Sequence, residues 1–239
     1  MRVAIHQPQY WPWPRYLHKA LDCDVFVYLD TVQFSKNGVQ NRNQIKTPQG
    51  PLWLTLPVAQ HLGQSIREAR IADARTTQKH FKSLGANYAK TEGFLRWKAE
   101  LESCFTQPGQ DLCGLAIAST EWMLTKLGAK NRRVRASELS CVRGDLQASK
   151  LVAGICSVLG ATDYLTGRGA LDYMAPADFR AIGCAVWAQS WTAFEYPQYP
   201  PGVPFAADLS MLDLLLNCPD QAGSLLRAAG GWELLWKNA

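Results

Sequence analysis

A chain of 239 residues, 47% apolar and 19% charged, can bury a full hydrophobic core as one domain and is neither disordered nor fibrous in composition. The net charge of +5 suits an anionic small molecule and is too diffuse to define a nucleic-acid surface. No run approaches the roughly 18 consecutive apolar residues of a membrane span, and the N-terminal apolar stretch is shorter than the ~7–15 residues of a signal peptide. Val3-Ala4-Ile5 reads as a buried strand, ended by Pro8, Pro12 and Pro14. A short helix over 15–21 and a second strand over 24–30 follow; strand, loop, helix and strand within thirty residues open a parallel α/β unit. Asn41 to Lys46 and Leu52 to Val58 flank Thr47-Pro48-Gln49-Gly50, which predicts an antiparallel hairpin near residues 40–58, appended to the sheet. Residues 76–103 read as helix interrupted at Gly85 and Gly93, and Asp111 caps an amphipathic helix that Gly128 stops.

A strand over 134–139, a helix over 146–159, a strand over 163–166 and a last strand over 184–187 come next, and Ser210 caps a helix with Asp213 in the box position. Trp232, Leu234, Leu235 and Trp236 read as a terminal helix packed on the core. The alternation from 112 to 187 predicts an α/β protein: a mostly parallel, Rossmann-like sheet flanked by helices, in a single domain over 1–239. Seven cysteines without a CxxC pair fit a reducing, cytoplasmic compartment, with Cys156 and Cys184 as small buried side chains. Four histidines without paired spacing predict no tightly bound metal.

Three places are hard to explain by folding alone. His6-Gln7-Pro8-Gln9-Tyr10-Trp11-Pro12-Trp13 follows the first strand, where open α/β sheets bind ligands, and His6 can act there as a general base or acid near neutral pH. A histidine that merely ties down the loop is the alternative. The segment from Asp30 to Asn43 is rich in amides, which recognise neutral polar substrates, and carries Lys36 and Arg42, which bind carboxylate or phosphate. Asp30, at a strand end, can orient a substrate or remove a proton, whereas an exposed hairpin loop would have the same composition. Thr166-Gly167-Arg168-Gly169 offers backbone N–H groups to an anion, or is a plain strand-to-helix turn. Residues 130–135, the densest basic cluster, read as a solvated connection.

The runs IHQPQYWPWPRYLHK, DVFVYLDTVQFSKNGVQNRNQIKTPQGPLWLTLPV, LGATDYLTG and FAADLSMLDLLLNCP resemble the WbqC-like family over essentially the whole chain. His80 and Tyr88 fall where the family pattern has a His and a Tyr. Arg15 stands where a glycine is common, and Arg168-Gly169 departs from the usual turn. The resemblance implies a protein of O-antigen or related polysaccharide gene clusters that transfers glycine or another aminoacyl group to a sugar. The order strand, His-bearing loop, helix, strand, Asp is also similar to nucleotidylyltransferase-like Rossmann folds, without their HxGH pattern.

The expected activity is therefore transfer of an aminoacyl, glycyl or other acyl group to an amino or hydroxyl group of a sugar or related acceptor, in polysaccharide or secondary-metabolite biosynthesis. His6 would deprotonate the acceptor, with Asp30 and Lys36 as further catalytic candidates. Lys36, Arg42 and Lys46 would hold the donor's carboxylate or phosphates. Gln7, Gln33, Asn41 and Asn43 would read polar groups, and Tyr10 and Trp13 would form an apolar wall. Tyr16, Ser35, Trp53 and His80 complete the expected substrate-binding set. No cofactor is expected to be tightly bound; the partner is a small molecule, such as a nucleotide, a nucleotide-sugar or an activated aminoacyl donor. The alternatives are an ATP-dependent amide-forming ligase working through an adenylate, and a non-catalytic binding module of a biosynthetic complex. Contact with aminoacyl-tRNA through residues 130–135 is a weaker expectation, and the oligomeric state is left open.

Overall fold

Alternation along the first two strands sets the central layer. In β1 (Arg2–His6) and β2 (Val25–Tyr28), Val3, Ile5, Val25 and Val27 enter one apolar cluster, while Ala4, Phe26 and Tyr28 enter the other. Both strands are therefore buried on both faces, as a parallel sheet covered by helices requires. The computed structural model describes residues 1–36, 38–59, 61–106, 109, 111–140 and 148–237. Asn37, Cys141 and the first two residues of the helix predicted over 146–159 lie outside the described residues.

Helix α1 (Pro14–Leu21) joins β1 to β2; its proline sits in the first turn, where no backbone donor is needed. A hairpin of β3 (Arg42–Thr47) and β4 (Gly50–Thr55) and a small pair, β5 (Val58–Ala59) and β6 (Arg70–Ile71), form two separate antiparallel sheets. Then come α2 (Arg75–Tyr88), α3 (Glu92–Thr106), α4 (Leu112–Lys126), β7 (Arg132–Arg135), α5 (Ala148–Leu159), β8 (Asp163–Thr166), α6 (Pro176–Arg180), β9 (Ala185–Trp191), α7 (Met211–Asn217), α8 (Ala222–Ala229) and β10 (Gly230–Trp236). The six-stranded sheet has the order β10-β9-β8-β1-β2-β7, parallel throughout except for the β9–β10 pair. Helices α1, α2, α3, α4, α7 and α8 contribute to the cluster on one face, and α5 and α6 to that on the other. Gly93 lets α3 approach α7: a Cβ there would lie 2.4 Å from the Leu215 carbonyl oxygen.

The C-terminus differs from the expected helix. Residues 230–236 pair antiparallel with β9, so the strand over 184–187 is not the last. Trp232 and Leu234 follow a period of two that a helix cannot use. A register shift between Leu234 and Trp236 then turns Trp236 toward the second cluster, where it meets Phe179. The strand expected over 134–139 lies earlier, at β7, followed by a 3-10 turn over Ala136–Glu138. Ser210 caps α7 by accepting from the Leu212 N–H at 3.2 Å, but Asp213 does not complete a capping box; its carboxylate turns into the core.

The order of strands fixes where a ligand can sit. The chain leaves β1 toward β2 on one side and leaves β8 toward β9 on the other. The connections diverge between the carboxyl ends of β1 and β8, which is the topological switch point at which open α/β sheets bind ligands.

Candidate functional site

A crevice of about 590 Å³ opens at this switch point, within the roughly 300–1,000 Å³ usual for small-molecule sites. His6 and Gln7 enter it from the end of β1, Tyr16 and Lys19 from α1, Thr166 to Ala170 from the turn after β8, and Gln189 and Trp191 from β9. Tyr16 and Lys19 are three residues apart on one helix face, which brings both to the strand end. The first and third of the sequence-predicted places are thus walls of one cavity, although they are some 160 residues apart in the chain.

His6 is half-buried, with its ring edge-on to Tyr16 at 4.7 Å between centroids. Its Nδ1 lies 3.2 Å from the Gln7 carbonyl oxygen. A carbonyl can only accept, so Nδ1 carries the proton and Nε2 keeps the basic lone pair. Burial, and next the charge of Lys19, hold the imidazole well below its ordinary pKa, so His6 is neutral at pH 7. Lys19 is only 4% exposed, and no carboxylate is among the groups that act on its charge. Burial drags its pKa down to about 7. Arg168 stands at the mouth, more than half exposed and paired with Glu233. At pH 7 the crevice holds a neutral imidazole beside a lysine that is about half protonated, with the Arg168–Glu233 pair in its wall.

The loop after β1 is fastened rigidly. Trp11 takes a left-handed backbone (φ 47°), stacks on Phe105 at 4.8 Å, and is held by Ser119 Oγ at its N–H (3.0 Å) and by Asn43 Nδ2 at its carbonyl (2.7 Å). A bulky residue in that region is strained unless its surroundings over-determine it, as they do here. The side chain of Gln40 donates to Gln7 Oε1 at 2.7 Å, tying the polar segment after β2 to the crevice wall.

The remaining predicted residues stand outside that wall. Asp30 is buried and accepts from the Ser137 N–H (2.9 Å) and hydroxyl (2.6 Å), holding the turn after β7. Asn41 donates to the Leu56 carbonyl at 2.7 Å, and Asn43 to Trp11 as above. Lys46, 1% exposed, donates from Nζ to the Val203 carbonyl at 3.2 Å. Arg42 lies over the exposed Trp53 ring at 4.4 Å. Gln33, Ser35 and Lys36 are exposed, Gln33 in an isolated bridge with Ser65. Tyr10 and His80 are buried against each other, oxygen to Nδ1 at 2.9 Å, and burial lowers His80 to about 4. Tyr88 accepts from the Lys46 N–H and donates to Asp213 at 2.6 Å, stitching α2, the hairpin and α7 together.

Lys19 was not among the residues singled out from sequence. Its sequence context gives no signal: Arg15, four residues earlier on the same helix face, is exposed, so that face reads as solvated. Among the described residues no group of three or more His, Cys, Asp or Glu is placed to hold a metal ion, and no helix is long and apolar enough to cross a membrane. Arg133, in the basic cluster, is paired with Glu121 at 2.8 Å.

An open, mostly parallel sheet flanked by helices, with a crevice at its switch point, defines an α/β protein of the open-sheet class. The chain belongs to the WbqC-like protein family, whose model matches residues 7–224. It is similar to the uncharacterized protein Rv1507c of Mycobacterium tuberculosis (strain ATCC 25618 / H37Rv), 28% identical over 232 residues that cover 95% of this chain and 97% of the relative. No solved structure matches it.

Proposed function

We propose that the protein is a transferase that moves an acyl group, in the finer form an aminoacyl or glycyl group, from an anionic activated donor to an amine or hydroxyl of a sugar or related acceptor. The single observation that carries this reading is the neutral His6, with Nε2 as its basic atom, in the same crevice as a buried lysine that has no carboxylate partner among the described residues. In the proposed step, His6 Nε2 takes the proton of the acceptor N–H or O–H as that atom attacks the acyl carbonyl carbon. The bond from that carbon to the donor's leaving group then breaks, and its electrons leave with an anion held by Lys19 and Arg168. The proton on His6 passes to the leaving group or to solvent, restoring the base. Gln7, whose Oε1 accepts from Gln40, would offer its Nε2 to polar groups of the acceptor; the Nε2 of Gln189 is already held by the Arg15 carbonyl and His18, which leaves its Oε1 for that task. Asp30, Asn41, Asn43, Lys46, Tyr10 and His80 support this arrangement by holding the loops in place.

The test is transfer of labelled glycine from activated glycyl donors to a panel of amino and hydroxyl sugars by the wild type and by His6→Ala. The variant should lose on the order of 10²–10⁴ in turnover, the usual weight of a general base, with its thermal melt nearly unchanged. An equal loss of folding stability would make His6 a structural residue and end this reading. ATP–pyrophosphate exchange that requires glycine would instead identify an adenylate-forming ligase.

A further inference from the structure

A second cavity of about 370 Å³ adjoins the crevice and shares Trp13, Arg15 and Trp191 with it. Its walls are aromatic: Trp191, Phe194, Tyr196 and Phe205 follow one another at centroid distances of 6.0, 5.9 and 5.3 Å. Most of this wall comes from residues 192–209, part of a stretch without helix or strand between β9 and α7. Structureless stretches of that length within compact folds are usually functional, and this one is held in place. The buried Asp213 accepts from Tyr196 (2.8 Å) and Gln198 (2.8 Å), Gln198 also binds the Ala206 N–H and carbonyl, and Lys46 binds the Val203 carbonyl. An aromatic vestibule built this way and open beside a cationic crevice is prepared for a flat ring joined to an anion.

We propose that this vestibule is the base subsite of a nucleoside diphosphate whose phosphates enter the switch-point crevice. The proposal rests on the reading of the crevice as an anion-holding transfer site, and names the chemical class that site takes. The order of the two parts follows from charge. The exposed carboxylates of Glu195 and Asp208 line the vestibule, and Lys19, with Arg168 in its pair with Glu233, lines the crevice, so phosphates are favoured in the crevice over the vestibule. Arg15 stands between them, 5.7 Å over the Trp191 ring and 3.9 Å from Asp208, where it can turn to a phosphate. A nucleobase fits better than a sugar ring. A sugar needs in-plane polar groups for its hydroxyls, and the vestibule supplies mainly aromatic faces and alanines, with a carboxylate at its rim to accept from an exocyclic amine.

Calorimetric titration at pH 6.5 with ADP, UDP, adenosine, glucose 1-phosphate and inorganic pyrophosphate tests this. At least one nucleoside diphosphate should bind about tenfold or more tighter than pyrophosphate, the gain that stacking of one base supplies. Ala207→Trp, which fills the vestibule from an exposed wall position, should erase that gain and leave pyrophosphate affinity within about a factor of two. Phe194→Ala should narrow the gap in the same direction, with a thermal melt to confirm that it folds. Pyrophosphate binding with no nucleotide gain overturns the vestibule while the reading of the crevice stands. No binding of pyrophosphate or nucleotide overturns both. Glucose 1-phosphate outbinding both nucleotides overturns the base subsite in favour of a sugar.

Discussion

The ammonium of Lys19 and the imidazole of His6 belong to the same crevice, and the lysine's charge adds to burial in keeping the histidine neutral. Neither residue is balanced by a carboxylate among the causes that set its protonation. A buried cation left without a partner is costly, and such costs are kept where a ligand supplies the missing charge.

Replacing Lys19 should stabilise the protein and disable it. The folded-state pKa of about 7 lies below the value in the unfolded chain, so between the two the unfolded state binds more protons and stability rises with pH. The penalty is complete below pH 7 and vanishes above the unfolded pKa of roughly 10.4. Lys19→Met should therefore be more stable than the wild type by about 1–4 kcal/mol at pH 6, with the gain shrinking toward pH 10. Thermal melts of both proteins across that range check the sign.

Anion affinity should fall as pH rises through about 7, because Lys19 loses its charge there while His6 is already neutral. Titration of sulfate, whose charge does not change between pH 6 and pH 8, should show the drop in the wild type. The Lys19→Met variant should bind more weakly and show little pH dependence over the same interval.

Asp30→Ala should act on stability, not turnover. Its carboxylate accepts two hydrogen bonds from Ser137, so its loss should cost about 1–3 kcal/mol while turnover stays within roughly threefold. Lys36→Ala, at an exposed position outside the crevice wall, should change neither by more than that. Denaturant unfolding beside a glycyl-transfer assay separates the two effects, and a large turnover loss without a stability change would return Asp30 to the chemistry.

Asp213→Ala should be among the most destabilising single changes. It strands the hydroxyls of Tyr88 and Tyr196, the Gln198 amide and the nearby charge of Lys46, and should cost about 3–5 kcal/mol. The stretch over 192–209 should lose protection with it, measurable as faster amide exchange at Ala206, whose N–H is held by Gln198.

Much of the fold was legible in the sequence because its signals are local. The apolar runs of β1 and β2 and the turn at 47–50 each declare an element within a few residues, whereas α4 is apolar nearly all round and buries Ser119 and Thr120, so no amphipathic period marks it. The C-terminal strand was misread as a helix because short apolar runs near glycines carry both periods weakly, and pairing with β9 decides between them. That His6, Gln7 and Tyr16 line the crevice is legible to the extent that a strand end in an α/β unit faces the open end of the sheet; no sequence feature separates them from Asp30, Asn41 or Lys46, whose polar groups are occupied by partners far along the chain.

The sequence by itself determined the family, the alternation of strands and helices, and the strand-end placement of His6. Only the tertiary structure decided that the turn after β8 faces His6, that Lys19 lines the same space with no carboxylate partner among the described residues, and that an aromatic chamber adjoins it. The physical reason is that strand order is a long-range choice. Placing β8 beside β1 joins residues some 160 positions apart, and only that neighbourhood sets the burial, charge and pKa of the groups between them.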